Sequence, residues 1–266
     1  MQFLFFLVSL LASVVGAICG IGGGVIIKPT LDLLHLTSVS SGNFLSGCTV
    51  LAMSGYSVGR ALLARDSTVN IKTGTPLSLG AALGGVAGKS LFTGVTALFT
   101  NANTVGAVQA GCLLLITVGT LVYTLKKDNI PTHRARSMPA CVSIGLLLGV
   151  ISSFLGIGGG PINLVVLFFF FSMDTKTAAQ NSLYIILVSQ ITSFLATIVT
   201  HTVPQFDLFS LVLMVAGGIA GGMAGRVIYK RMDNKMVDKL FIVLMLVIIA
   251  ISAYNVLLYS GVFSQV

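Results

Sequence analysis

Glutamate is absent from this chain: all seven acidic residues among its 266 positions are Asp. That removes motifs built on Glu, including the HExxH metalloprotease helix and the EF-hand loop. Charge of either sign is scarce, at 8% of residues, while 55% are hydrophobic and the mean hydropathy is +1.01. Soluble domains of this length do not have that balance. Cysteine is limited to Cys19, Cys48, Cys112 and Cys141, each alone in an apolar segment, without the paired spacing of a metal site or disulfide framework. The histidines His35, His133 and His201 are equally scattered, so neither a zinc site nor a Cys/His dyad is indicated. No basic n-region precedes the first apolar run, MQFLFFLVSLLASVVGAIC, and a similar run recurs in mid-chain. The run is therefore read as a membrane segment rather than a cleaved signal.

What the chain does have is apolar runs near or above the roughly 18 to 20 residues that cross a bilayer, repeated along its length. The fold class expected is all-α and polytopic; the short alternating segments of a β-barrel are missing. The net charge of +8 sits in short clusters between apolar runs, where membrane topology accounts for it and nucleic-acid binding is not needed.

The stretch GIGGGVIIKP at residues 20–29 returns as GIGGGPINLV at residues 156–165, a shift of 136. A second echo, GGVAGK at 84–89 and GGMAGR at 221–226, follows in the same order at a shift of 137. Two ordered matches at nearly one spacing indicate an internal duplication. The expected division is a first transmembrane repeat over 1–125, a linker over 126–137 and a second repeat over 138–266.

Apolar segments are expected at Phe3 to Cys19, Val25 to Leu36, Phe44 to Leu63, Val69 to Gly88 and Thr104 to Leu125. In the second half they are Met138 to Leu155, Ile162 to Phe171, Thr177 to Thr200, Phe206 to Gly225 and Met236 to Tyr259. The segments of ten to twelve residues after each glycine stretch are too short to cross alone. If both glycine elements were plain crossings, the Lys and Arg would divide seven against eight. If each is instead a re-entrant hairpin, leaving three full spans per half, thirteen share one side and only Lys28 and Lys89 lie opposite. The second arrangement obeys the positive-inside rule and makes the repeats inverted, with both termini outside and the linker cytoplasmic. Cysteine labelling that reached residue 2 or 264 only from the cytoplasm would contradict it.

Four glycines in five positions destabilise a helix by about 1 kcal/mol each relative to Ala, too much for a span that only packs. Where each returning leg begins, unbonded backbone N–H groups and the positive end of a helix dipole favour an anion. The candidate site residues are therefore Gly22, Gly23, Gly24 and Val25 in the first half and Gly158, Gly159, Gly160, Pro161, Ile162 and Asn163 in the second. Polar residues at the starts of legs or spans, namely Asn43, Ser46, Asn181, Ser182 and Gln190, are candidates to hydrogen-bond an oxyanion. Lys28 and Asp32, four apart on the first returning leg, are candidates for charge balance or ion coupling. Their counterparts, Leu164 and Phe168, are uncharged. The Gly84 and Gly221 clusters read as flat packing strips. Neither a dinucleotide fingerprint nor a phosphate loop is completed, since LGGVAGKS opens on Leu83 rather than glycine.

With Gly20, Gly22, Gly23, Gly24 and Pro29, the doubled set Gly156, Gly158, Gly159 and Gly160, and the AAQNSL run containing Ala178, Ser182 and Leu183, the chain resembles the TauE/SafE family of sulfite and organosulfonate exporters, also grouped as TSUP permeases. The likeness spans essentially the whole chain, with Val165 where a second proline is expected and Asn181 in place of the usual Thr. It implies a secondary transporter in the cell membrane that moves sulfur-containing anions such as sulfite, sulfonates or sulfoacetate, usually outward. An anion channel is the alternative, or a non-transporting membrane subunit or membrane enzyme. The partners expected are a small anionic substrate and the lipid bilayer, with room for a homo-oligomer; no cofactor, metal, catalytic residue or nucleic acid is called for.

Overall fold

The structure, a computed structural model, describes residues 2–34, 36–64, 67–98, 102–135, 137–155 and 159–259. Gly156 and Gly158 of the second glycine stretch, with His35, Arg65 and Arg136, lie outside the described residues.

The described residues form ten α-helices, five in each half. They are α1 (Gln2–Cys19), α2 (Gly24–Leu33), α3 (Val39–Leu63), α4 (Ile71–Leu98), α5 (Ala102–Lys126), α6 (Met138–Leu155), α7 (Gly160–Phe171), α8 (Thr175–Val199), α9 (Leu208–Arg231) and α10 (Asn234–Tyr259). Six are both long and apolar enough to cross a membrane: α1, α5 over Thr104–Lys126, α6, α8, α9 and α10. At 25 and 28 residues, α3 and α4 are long enough, but serine, threonine and glycine dilute their hydropathy. The short α2 and α7 follow the glycine breaks as expected. From the sequence, the fourth segment is expected to end at Gly88. The helix continues to Leu98, and the Lys89 ammonium hydrogen-bonds Thr197 of α8 instead.

The first hairpin doubles back on itself. Backbone of Gly22 and Gly23 lies against Gly16, and Gly23 also lies against Ala12. Ile27 and Leu31 then reach the cluster of Phe5, Leu45 and Met214, near the start of α1. At 1.5 Å per residue the 10-residue α2 thus retraces about 15 Å of the roughly 27 Å of α1. The far end of α1, at Ile18, meets Ala179, Tyr229 and Val237. Basic groups gather at that end. Arg226 donates to the Arg60 carbonyl at 3.3 Å, Lys176 donates to the Met232 carbonyl at 2.8 Å, and Lys127 pairs with Asp238 at 2.6 Å.

Two parallel helix pairs form the frame. Cβ atoms added at Gly80, Gly84 and Gly88 of α4 would fall 2.2, 2.0 and 2.4 Å from the carbonyl oxygens of Val142, Leu146 and Val150 of α6. Those added at Gly217, Gly221 and Gly225 of α9 would fall 2.8, 2.4 and 2.6 Å from the carbonyl oxygens of Phe6, Leu10 and Val14 of α1. Backbone-on-backbone contact of this kind is the use of small residues four apart in membrane helices. Since α4 runs from Asn70, bonded to Asn181 near the basic end, to Lys89 at the other, the parallel α6 also runs away from the basic end, while α1 runs toward it. Most of the larger contacts pair likewise when the halves are exchanged: α3 with α9 and α8 with α4, α2 with α10 and α7 with α5, and α3 with α8 and α5 with α10 across the middle.

Carboxylates cap two of these helices outside the apolar spans. Hydrogen bonds from the Ser210 hydroxyl and amide hold Asp207, the N-cap of α9, below the usual carboxylate range. Burial pushes Asp174 of α8 upward, but the Thr177 amide and hydroxyl outweigh it and hold it low too. A folded pKa below the unfolded one means stability that is present above the unfolded value and lost as pH falls through the folded value. Amides 177 and 210 are therefore expected to stay protected from hydrogen exchange through neutral and mildly acidic pH and to loosen only below about pH 4. Loosening centred above about pH 5 would contradict the cap assignment.

Candidate functional site

The two glycine turns approach the middle of α8 from different sides. In the first, Gly20, Gly22 and Gly23 have φ of 75°, 82° and 68°, left-handed values that favour glycine. Gly20 lies on Ala179, where a Cβ would be 2.3 Å from its Cα, and a Cβ on Gly22 would sit 3.1 Å from Ile186 Cδ1 and 3.2 Å from Val50 Cγ1. Ser182 falls between Ala179 and Ile186 on that face of α8. It is fully buried, and its Oγ has no hydrogen-bond partner among the described residues. Gly24 and Val25 open α2, whose N-cap, Gly23, supplies no side-chain cap.

In the second turn, Gly159 has φ 111° and α7 begins at Gly160 with Pro161 and Ile162 in its first turn, again without a side-chain cap. Asn163 folds back over the turn, so that a Cβ on Gly159 would lie 2.5 Å from its Nδ2. Asn163 is 1% exposed, and neither Nδ2 nor Oδ1 has a partner among the described residues. Ser152 Oγ, on a residue 4% exposed, is in the same condition. Asn163, Ser152, Gly159 and Ser189 line one narrow cleft closed by Ile185 and Ile186. Leaving a buried polar group unpaired costs about 1–3 kcal/mol, so three such atoms at one turn are expensive unless something else uses them. Asn163, Ser152 and the start of α7 bring donors suited to an oxyanion to this cleft, which is closed tightly enough to leave no room for a water, so an anion enters only when the turn opens.

The other sequence candidates are placed less centrally. Asn181 serves the loop before α4: its Oδ1 accepts from the Asn70 amide at 2.9 Å, and its Nδ2 donates to the Thr68 and Thr177 carbonyls at 3.1 and 2.8 Å. Gln190 follows Ser189 and faces Gly47, 3.4 Å from where its Cβ would be. Ser46 is buried on α3, and Asn43 nearby carries an Oδ1 with no partner among the described residues. At the shift of 136, Asn43 and Ser46 are the counterparts of Ala179 and Ser182. Gly158 lies outside the described residues. Lys28 does not reach toward the surface: it is 4% exposed and donates to Gln109 Oε1 at 2.6 Å, and Asp32 lines the same cavity.

Sequence reasoning missed Ser152, Ser189 and Gln109. A serine in an apolar helix reads as packing. The one available signal was that Ser152 replaces Gly16 at the shift of 136, making the second turn the more polar of the two.

A family model described as Sulfite exporter TauE/SafE matches residues 5–252, nearly the whole chain and both glycine turns. The chain belongs to the TauE/SafE family. A relative from Bacillus subtilis (strain 168), described as a probable membrane transporter protein, YunE, is 27% identical over 229 residues, covering 77% of this chain and 81% of that protein. No solved structure matches. With its apolar helices, this TauE/SafE chain is a multi-pass membrane protein and a membrane transporter.

Proposed function

We propose that the chain is a secondary transporter of small sulfur-containing anions, such as sulfite, sulfonates or sulfoacetate, that exports them across the cell membrane using an ion gradient. The observation that carries the reading is the second turn, where the buried, unpartnered Asn163 amide and Ser152 hydroxyl meet the uncapped start of α7. When the closed cleft opens, an anion there accepts from Asn163 Nδ2, from Ser152 and from first-turn amides of α7. It faces Ser182 and the first turn across α8. The opposite runs of α1 and α6 support inverted repeats, with the site between them and the halves rocking about α3 and α8. The basic end then faces the cytoplasm, both termini face outside, and residues 126–137 form the cytoplasmic linker between repeats 1–125 and 138–266. Below the site, Lys127, Asp238, Thr175, Ser172 and Tyr123 line an open cavity of about 370 Å³, a vestibule large enough for such anions.

Counterflow in proteoliposomes tests this. Labelled sulfite is expected to exchange for unlabelled sulfite or methanesulfonate, and weakly if at all for chloride. Equal exchange for chloride, or currents above carrier rates in a planar bilayer, would favour a channel and overturn the proposal.

A further inference from the structure

Lys28 sits where a cation would. Its Nζ donates to Gln109 Oε1 at 2.6 Å and to the Leu155 carbonyl at 3.2 Å, while Gln109 Nε2 is fixed by the Phe154 carbonyl at 2.8 Å. Asp32, Ser252 and Asn255 are the other polar residues lining a cavity of about 10 Å³, the size of one water. Ser252 Oγ and Asn255 Oδ1, on residues 0% and 2% exposed, have no hydrogen-bond partner among the described residues. Asn255 Nδ2 is held by the Pro29 carbonyl at 3.2 Å. A carboxylate, two amide oxygens, a hydroxyl and a main-chain carbonyl line this cavity, oxygen groups of the kind that hard cations take, and Nζ is bonded to two of them, Gln109 Oε1 and the Leu155 carbonyl. Here an ammonium tethered to α2 stands in it.

The shell also joins the halves. Phe154 and Leu155 end α6, so their carbonyls are among those a helix C-terminus leaves unbonded, and they carry the negative end of its dipole. Four residues beyond Leu155 come Gly159 and then the Asn163 turn. Lys28 on the first hairpin therefore holds the leg that leads into the second.

We infer that Lys28 is the coupling residue of the transporter, its ammonium replacing a metal cation, so that the coupling ion is a proton carried on Nζ. The inference rests on the transport reading above. In the cycle, the Lys28 ammonium releases its proton to water reaching the cavity from one face and becomes a neutral amine. It regains a proton from water on the other face, and no other reactant takes part. Losing the charge weakens the charge-assisted bonds to Leu155 and Gln109 and loosens the end of α6 that positions the anion turn. Among the described residues, the titratable group facing Lys28 is Asp32 from α2; Tyr259 from α10, whose ring lies against Gly106, interacts with Asp32. Among the described residues, the polar groups from α5 and α6 are Gln109 and the two carbonyls. His35 lies outside the described residues.

Proteoliposomes given labelled sulfite or methanesulfonate outside, corrected for protein-free liposomes, separate coupling from transport. A pH difference of one unit is expected to drive accumulation by wild type, up to about tenfold at one proton per anion, unchanged when choline replaces Na⁺. Lys28→Arg keeps a cation that does not release its proton. The ratio of pH-driven to counterflow uptake is expected to fall to about one in Lys28→Arg and Lys28→Met. If Lys28→Met fails to fold, Lys28→Arg alone decides. Wild-type accumulation that requires Na⁺ and ignores pH, or Lys28→Arg accumulation that still follows the pH gradient, overturns the inference and leaves anion transport standing. Wild type without counterflow of either anion removes the transport reading and the inference with it.

Discussion

A methyl group at Gly221 is expected to force α1 and α9 apart, whereas the same change at Gly119 is expected to stabilise the protein. The added Cβ at Gly221 would lie 2.4 Å from the Leu10 carbonyl oxygen and 2.7 Å from Ser13 Cβ; at Gly84 of the other pair it would lie 2.0 Å from the Leu146 oxygen. Backbone atoms cannot rotate out of the way as a side-chain tip can, so whole helices must shift. Overpacking of a single site costs about 1–3 kcal/mol, and a helix pair held by a strip of such contacts is at the upper end or beyond. Gly119 of α5 has nothing within 4 Å of the added atom. There Gly→Ala removes only unfolded-chain freedom, a gain of about 0.5–1 kcal/mol. Melting temperatures in detergent distinguish these outcomes: Gly84→Ala and Gly221→Ala fall, and Gly119→Ala holds or rises. A Gly221→Ala protein as stable as wild type would mean that α1 and α9 are not in backbone contact.

Replacing Asn163 by Leu is expected to reduce transport while leaving the fold intact or firmer. Leu has the same branched four-atom outline as Asn, though its methyl groups are bulkier, and it removes two buried polar atoms that have no partner among the described residues. Stability should therefore not fall, because an unsatisfied group costs more than an apolar one of the same shape. A hydrogen bond to a charged ligand contributes about 1.5–3 kcal/mol, so losing one should weaken anion binding roughly tenfold to a hundredfold. A structural Asn would show the reverse pattern, with lower melting temperature and normal affinity. Ser152→Ala should act in the same direction.

The helical layout was legible because an apolar chain broken by runs of glycine leaves few other choices. All ten expected segments are helices, and the charge count anticipated the basic end where Arg60, Lys127, Lys176 and Arg226 gather. The site was legible only in part, for a geometric reason. Asn181 and Ser182 are adjacent and equally polar, yet one step along a helix turns a side chain by about 100°. Asn181 is thereby spent on Thr68 and Asn70, while Ser182 faces the first turn. Which face of α8 looks inward depends on α3, α4 and the hairpins packed around it, and no local pattern encodes that. Lys28 was ambiguous for a related reason, since a lysine one turn along a membrane helix either reaches the surface or finds acceptors inside. Gln109, 81 positions away, decides between them.

Equilibrium binding of labelled sulfite to the purified protein tests most directly whether the second glycine turn is an anion site. Wild type is expected to bind saturably, with Asn163→Leu weaker by roughly tenfold to a hundredfold at an unchanged or higher melting temperature. Equal affinity in wild type and Asn163→Leu would place the anion elsewhere and contradict the account.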